Sequence, residues 1–164
     1  IMIVKATEKD ILTIQNLAKN SWQSTYAAIL QQDQIDYMLD LMYSEATLKT
    51  HFQNPDYQYY LIGKDDVFLG FMGFEFHQEP ETTKLHRLYF LKEAQGKGLG
   101  KKALEFVKTE TEKSGDNRLI LTVNKNNNAK NFYESQGFRI YQEKILELGN
   151  GYVMDDFLME FVLD

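Results

Sequence analysis

Leu85-His86-Arg87-Leu88-Tyr89-Phe90-Leu91 is a largely apolar run, and it is followed closely by Gln95-Gly96-Lys97-Gly98-Leu99-Gly100-Lys101. The second stretch leads into a helical pattern with apolar Leu99, Ala103, Phe106 and Val107. The order reads strand, glycine-rich turn, helix. Alternate glycines let a backbone approach a ligand with no Cβ in the way. The first N–H groups of a helix have no intrahelical acceptor and lie at the positive end of its dipole. Such a loop is suited to a phosphate or pyrophosphate.

Two common phosphate loops do not fit. A P-loop ends in Gly-Lys-Ser/Thr so that a hydroxyl can hold magnesium, whereas Gly100-Lys101 is followed by Lys102. A dinucleotide fingerprint has the spacing Gly-x-Gly-x-x-Gly, whereas Gly96, Gly98 and Gly100 alternate. A tight turn with no ligand is the remaining alternative. It leaves three glycines at a helix start unused, which costs stability.

The rest of the chain expects one domain, residues 1–164, with ordinary composition: 43% hydrophobic and 26% charged residues. No cysteine is present, so disulfides and a thiol nucleophile are excluded. The three histidines, His51, His77 and His86, form no His-x-x-x-His pair, and no metal site is expected. No run reaches membrane-spanning length and no signal pattern is seen, so a cytoplasmic protein without a membrane partner is expected. The net charge of −6 argues against nucleic acid as a partner. Charge is unevenly distributed. Residues 92–139 carry ten Lys/Arg against six Asp/Glu, and the remainder carries eight against eighteen. A phosphate ligand on the basic part and a cationic partner near the acidic part is one reading, and a solvated acidic surface is the other.

Along the chain, residues 1–6 read as a strand. Thr7 and Asp10 form a capping box for a helix with Ile11, Ile14, Leu17 and Ala18 on one face. A second helical region covers 24–52, broken near Asp33 and Ser44. Residues 57–63 and 67–76 make a hairpin, followed by a polar loop over 77–84 and the strand 85–91. The helix from Gly98 ends at Gly115, residues 118–123 form a short buried strand, and 129–136 a short helix ended by Gly137. Residues 138–148 and 151–162 form a hairpin through Asn150-Gly151. The order β-α-α-β-β-β-α-β-α-β-β predicts a mixed α+β fold. Its sheet is mostly antiparallel and twisted, with helices on both faces and one parallel crossover.

At these residues the chain resembles the GNAT N-acetyltransferases. Leu88-Tyr89-Phe90 and then Gln95-Gly96-Lys97-Gly98-Leu99-Gly100 are similar to that family's acetyl-CoA site, Gln/Arg-x-x-Gly-x-Gly/Ala after a Leu-Tyr-Val-like strand end. Asn126-Asn127-Asn128-Ala129, Phe132-Tyr133 and Gly137-Phe138 are similar to its Asn-x-x-Ala-x-x-Phe-Tyr-x-x-x-Gly-Phe. The element order extends the likeness to the whole chain. The resemblance implies acetyl-CoA (coenzyme A) as cofactor. Backbone groups of Leu88, Tyr89 and Phe90 would bond the pantetheine arm, as an added strand would. Loop amides from Gln95, Gly96, Lys97, Gly98, Leu99, Gly100 and Lys101 would hold the pyrophosphate. Asn126 and Asn131 would lie near the cofactor, and Tyr133 would be the general acid. Read alone, Asn126 could equally cap a helix, and the side chains of Tyr89 and Phe90 could be core.

The chemistry so implied is direct attack of an amine on a thioester in a ternary complex. An aliphatic ammonium has a pKa of about 10.4, so presenting it neutral at pH 7 costs about 4–5 kcal/mol. Some family members place a glutamate early in the strand before the glycine loop; this chain has Lys84 at about that position. Glu75, His77 and His86 are the candidates for a base, with His86 in the right pKa class and also readable as an ordinary strand histidine. Glu75 lies between Phe74 and Phe76 and so faces the other way, into a cleft or into solvent. Trp22 and Tyr26, with Tyr37 and Met38, are candidates to line the acceptor cleft, Trp22 equally a core residue. Gly151-Tyr152-Val153-Met154-Asp155-Asp156 resembles a subgroup that acetylates polyamines. The expected acceptor is therefore a small cationic amine. A protein lysine or N-terminus is the alternative acceptor, and a CoA-binding sensor without turnover the alternative class. Family habit and the aromatic content are compatible with a homodimer.

Overall fold

A computed structural model describes all residues 1–164. In chain order it has β1 (Met2–Lys5), α1 (Ile11–Tyr26), α2 (Gln32–Tyr43), α3 (Glu45–Gln53), β2 (Tyr57–Lys64), β3 (Val67–Glu79), β4 (Thr82–Phe90), α4 (Leu99–Lys113), β5 (Arg118–Asn124), α5 (Ala129–Ser135), β6 (Arg139–Gly149) and β7 (Tyr152–Val162). The seven strands form one sheet in the order β1-β2-β3-β4-β5-β7-β6. Every pairing is antiparallel except β4 with β5, the crossover that carries α4. The mixed, mostly antiparallel sheet with helices on both faces is the fold class expected from the sequence. No helix is long and apolar enough to cross a membrane.

The alternation of each strand divides the core into two layers. Tyr57, Tyr59, Leu61 and Phe71 pack with Ile14, Ala18, Trp22, Ile35 and Leu48 of α1–α3. Ile62, Met72, Phe74, Leu85 and Leu121 pack on the other face with Leu104 and Val107 of α4 and with Tyr133 of α5.

The Thr7–Asp10 capping box is present, with Thr7 N–H donating to Asp10 Oδ2 at 2.9 Å and Lys9 N–H to Thr7 Oγ1 at 3.3 Å. It opens a single 3-10 turn that then continues into α1. Ser44 caps α3 by accepting from Thr47 N–H. Asn150 and Gly151, with φ of 55° and 80°, make the β6–β7 hairpin turn that their sequence called for.

Two segments differ from the sequence reading. The second helical region is two helices, and its expected first residues belong to α1, which runs to Tyr26. The break falls at residues 27–31, so Asp33 sits in the first turn of α2 and does not cap it. The expected loop over 77–84 is instead the end of the β3–β4 hairpin, closed at Pro80-Glu81. Its polar residues misled the pattern because their partner is distant. His77 takes a left-handed φ of 56°, and its N–H and ring Nδ1 meet the two oxygens of Asp116 at 2.9 and 2.7 Å, while Thr83 Oγ1 donates to Asp116 at 2.7 Å. This contact uses His77 structurally, away from the cleft.

Candidate active site

β4 and β5 pair only from Thr82–Arg118 to Leu85–Leu121, and then the strands part. Parallel strands that diverge leave main-chain groups without a neighbour. Leu91 N–H donates to Leu69 O at 2.8 Å, which fixes the antiparallel alternation between β3 and β4. Tyr89 therefore exchanges its backbone bonds with Phe71, while the N–H and C=O of Leu88 and Phe90 point into the gap. Of the three backbones expected to bond a ligand, two are free and that of Tyr89 is committed to β3.

A cavity of about 220 Å³ fills the gap, walled by Leu88 and Phe90 of β4, Leu121 and Val123 of β5, Tyr26 and Tyr133. A larger groove of about 990 Å³ adjoins it through the shared residues Thr25, Phe90 and Asn127. The groove runs along Gln95, Gly96, Gly98, Leu99, Gly100 and Lys101, with Asn126 and Phe132 on the opposite side.

Gly96 and Gly98 have φ of 77° and 70°, and no atom lies within 4 Å of a Cβ built on either. Both conformations strongly favour glycine, and the space beyond them is free. Gly98 stands at the N-cap of α4 with no side-chain cap, so the N–H groups of the first turn face the groove. Gly100 serves packing, since a Cβ there would stand 3.1 Å from the Phe132 ring. Lys97 N–H is used within the loop, donating to Ala94 O at 3.3 Å. Bare amides, two left-handed glycines, open space and the positive end of a fifteen-residue helix form a cradle that fits a pyrophosphate. The free edge of β4 fits the amides of a pantetheine arm leading from it.

Tyr133 is buried on α5, and its ring packs against Phe132 and Phe138. Burial, with a smaller push from Tyr26, raises its hydroxyl above the ordinary tyrosine range, so it is protonated at neutral pH. Tyr26 lines the same cavity, its hydroxyl 3.0 Å from that of Tyr89. Trp22 does not reach the cleft. It is 1% exposed, packed between Tyr26, Tyr43 and Tyr89, and its Nε1 donates to Tyr43 OH at 3.3 Å. It is a core residue that backs Tyr26 and Tyr89. Asn131 is exposed on α5 and lines neither space. Helix α5 takes its side-chain bond from Asn127, whose Oδ1 accepts from Ala129 N–H at 3.0 Å. Asn126 is thereby left on the groove wall. Sequence reading missed Asn127, which borders both spaces; the run of three asparagines was its only signal.

Leu85 and Leu88 both pack on the α4 face, which an unbroken alternation would forbid. The β3–β4 register shifts at Gly73/Phe74, and this bulge turns His86 and Arg87 together toward α1–α3. His86 Nε2 lies 3.0 Å from Glu75 Oε1, and Asn54 Nδ2 donates to Glu75 Oε2 at 3.3 Å. The imidazole stacks on Tyr57 at 5.0 Å and borders the small cavity. Burial first, then Lys84 and Arg87, pulls His86 down to about 3, so the ring is neutral and donates from Nε2 to the carboxylate. Arg87 is 6% exposed. It donates to Tyr57 OH at 2.6 Å and to Met42 O, near the carbonyl end of α2, at 2.9 Å, which ties the helices to the sheet.

Residues 26–153 match the acetyltransferase (GNAT) domain, and the chain belongs to that family. It is an N-acetyltransferase, and acetyl-CoA is its cosubstrate. A Lactobacillus delbrueckii subsp. lactis protein described as an uncharacterised N-acetyltransferase in the pepI 3' region is 25% identical, covering 99% of this chain and 98% of that one. The spermidine N(1)-acetyltransferase of Thermoplasma acidophilum is 28% identical over 85% of this chain and 89% of its own length. The solved structure of PaiA N-acetyltransferase from Thermoplasma acidophilum, in complex with coenzyme A, superposes with a TM-score of 0.82 at 26% identity. The superposition covers 98% of both chains.

Proposed function

We propose that this enzyme acetylates a primary amine of a small cationic, polyamine-like acceptor by direct attack in a ternary complex. The observation that carries the reading is the junction of two spaces. The glycine groove adjoins the cavity where the free β4 edge and Tyr133 meet His86, the bonded partner of Glu75. Likeness to a spermidine acetyltransferase supports the acceptor class.

In this reading the amides of Gly98, Leu99 and Gly100 hold the pyrophosphate, aided by Lys101, and Asn126 closes the far wall. Leu88 and Phe90 pair with the pantetheine arm and bring its end into the small cavity. The bound group supplies an acetyl thioester. Holding both reactants in attack geometry accounts for much of the rate. Tyr133 keeps its proton on the phenol oxygen until a departing thiolate takes it. The Glu75–His86 pair forms the acceptor wall. Its imidazole, held down to about 3, is a weak proton acceptor. Burial, reinforced by Lys84 and Arg87, sets that basicity, so the pair orients and the main proton transfer falls elsewhere.

Release of free thiol from acetyl-CoA, followed against spermidine, simple monoamines, amino acids, aminoglycosides and peptides, tests the reading. Turnover with spermidine and other small amines is expected. Turnover with peptides alone moves the acceptor to proteins, and CoA binding without turnover on any amine makes the chain a sensor.

A further inference from the structure

Asp156 of β7 stands opposite Asn124 of β5 and Lys144 of β6. The next rung, Val123–Phe157, packs into the α4–α5 layer, so Asp156 faces the other way, as does Met154 two residues before it. That is the face of Glu75, His86 and Tyr26. Asp156 is 9% exposed, and its Oδ1 is buried with no hydrogen-bond partner. The groups that face it are Tyr26 of α1, Lys84 of β4, Asn124 of β5, Asp155 on its own strand and Lys144 of β6. None of them donates to Oδ1. Lys125, next along β5, is taken by Glu143 and Asp155 at 2.6 and 3.1 Å, and the Asn124 amide is turned to the Met154 sulfur at 3.6 Å.

A buried carboxylate oxygen without a donor is unfavourable in the folded chain. Such a group is retained where a ligand completes it. The Asn124–Asp156 rung directly follows Val123, a wall of the small cavity, and Tyr26, which feels the Asp156 charge, borders the same cavity as Tyr133.

We infer that Asp156 is the counter-ion and proton acceptor of the reacting amine. The inference rests on the acetyltransfer to small amines argued above. An incoming ammonium donates to Oδ1. Its N–H bond breaks with the electron pair left on nitrogen, an O–H bond forms on Asp156, and the lone pair bonds the acetyl carbon as the carbonyl pair moves to oxygen. Collapse then breaks the C–S bond, the thiolate takes the Tyr133 proton, and the second proton on nitrogen returns to the Tyr133 oxygen. The carboxyl then returns its proton to solvent. Burial, reinforced by Asp155 and opposed by Lys84, lifts Asp156 to about 6. It is thus ionised at neutral pH yet close enough to pH 7 to serve as an effective base.

The experiment compares wild type with Asp156→Asn and Asp156→Glu. Calorimetry with coenzyme A comes first, then calorimetry of spermidine into the coenzyme A complex, then kcat/KM against pH with spermidine and with n-butylamine. Asp156→Asn is expected to keep the CoA affinity within twofold and to weaken spermidine binding at least tenfold. It should lower kcat/KM about 100-fold or more for both amines and remove an acidic limb centred near pH 6, with partial recovery in Asp156→Glu. An Asn variant within threefold of wild type, an unchanged acidic limb, or a loss confined to spermidine overturns the assignment. So does a wild type that binds CoA but turns over neither small amines nor peptides, an outcome that also overturns the acceptor reading. Loss with both amines replaced by turnover on peptides alone, still dependent on Asp156, would retain the residue and discard only the acceptor class.

Discussion

The two faces of the sheet were built by different rules. On the α4–α5 face the proposed cofactor groove takes its anion cradle from one continuous stretch, β4 through the glycine turn into α4, with further walls from residues 24–29 and 126–132. On the α1–α3 face the proposed acceptor side is assembled from single residues of β3, β4, β5, β7 and α1. One site is a local backbone conformation and the other a coincidence of strand registers. A substitution on the first should act through cofactor affinity, and one on the second through the amine and its proton.

Tyr133→Phe, at the boundary of the two, should have the largest effect. It leaves the ring packing intact and removes the acid, so kcat should fall about 100- to 1000-fold while CoA binding by calorimetry stays within twofold. A kcat within threefold of wild type would break the assignment of the proton donor. Gly98→Val comes next. A branched residue at φ 70° strains the turn, and its side chain enters the open space where the anion would sit. The left-handed conformation alone costs about 1–2 kcal/mol, and CoA binding should weaken about 30- to 100-fold with little change in the KM of the amine. Equal losses for both substrates would show that the faces are not separable.

Asp156→Asn sharpens the contrast through stability. The Asp156 carboxyl titrates near 6 in the folded chain, above the unfolded value of about 3.9. The folded state therefore loses stability as pH rises from about 4 through 6, and the asparagine variant escapes that loss. Thermal or denaturant unfolding should find the variant more stable at pH 7.5, by on the order of 2 kcal/mol, and equal to wild type at pH 3.5. Greater stability with lower activity marks a group kept for function. The smallest effect is expected for His86→Gln. The neutral ring already acts only as a donor to Glu75, so kcat/KM should stay within about threefold of wild type and its pH profile unchanged between 5 and 8. A large loss with an altered profile would return the base to His86.

Much of the first face was legible in the sequence. Gly96, Gly98, Tyr133 and Asn126 all border the two joined spaces, and the reason is local. Left-handed φ values, an uncapped helix start and an aromatic helix face are properties of neighbouring residues. The second face was legible only in part. Glu75 was seen to oppose Phe74, and it does. Trp22 reads equally as a cleft or a core residue, because aromatic content does not distinguish a lining from its backing layer, and packing makes it core. The polar residues 77–84 looked like a loop because Asp116, which orders them, is remote in sequence. His86 and Arg87 share a face only because a bulge interrupts the alternation between Leu85 and Leu88.

By itself the sequence determined the strand–turn–helix with its uncapped, glycine-lined helix start, the hairpin at Asn150-Gly151 and the order of elements. Each of these rests on backbone preferences spanning a few residues. Only the tertiary structure decided that β4 and β5 part after Leu85, that Asn124 and Asp156 share a rung, and that a buried Asp156 oxygen is left without a partner on the α1–α3 face. Pairing between strands distant in the chain sets those positions, and a shift of one residue in any register would have turned a different side chain toward that face.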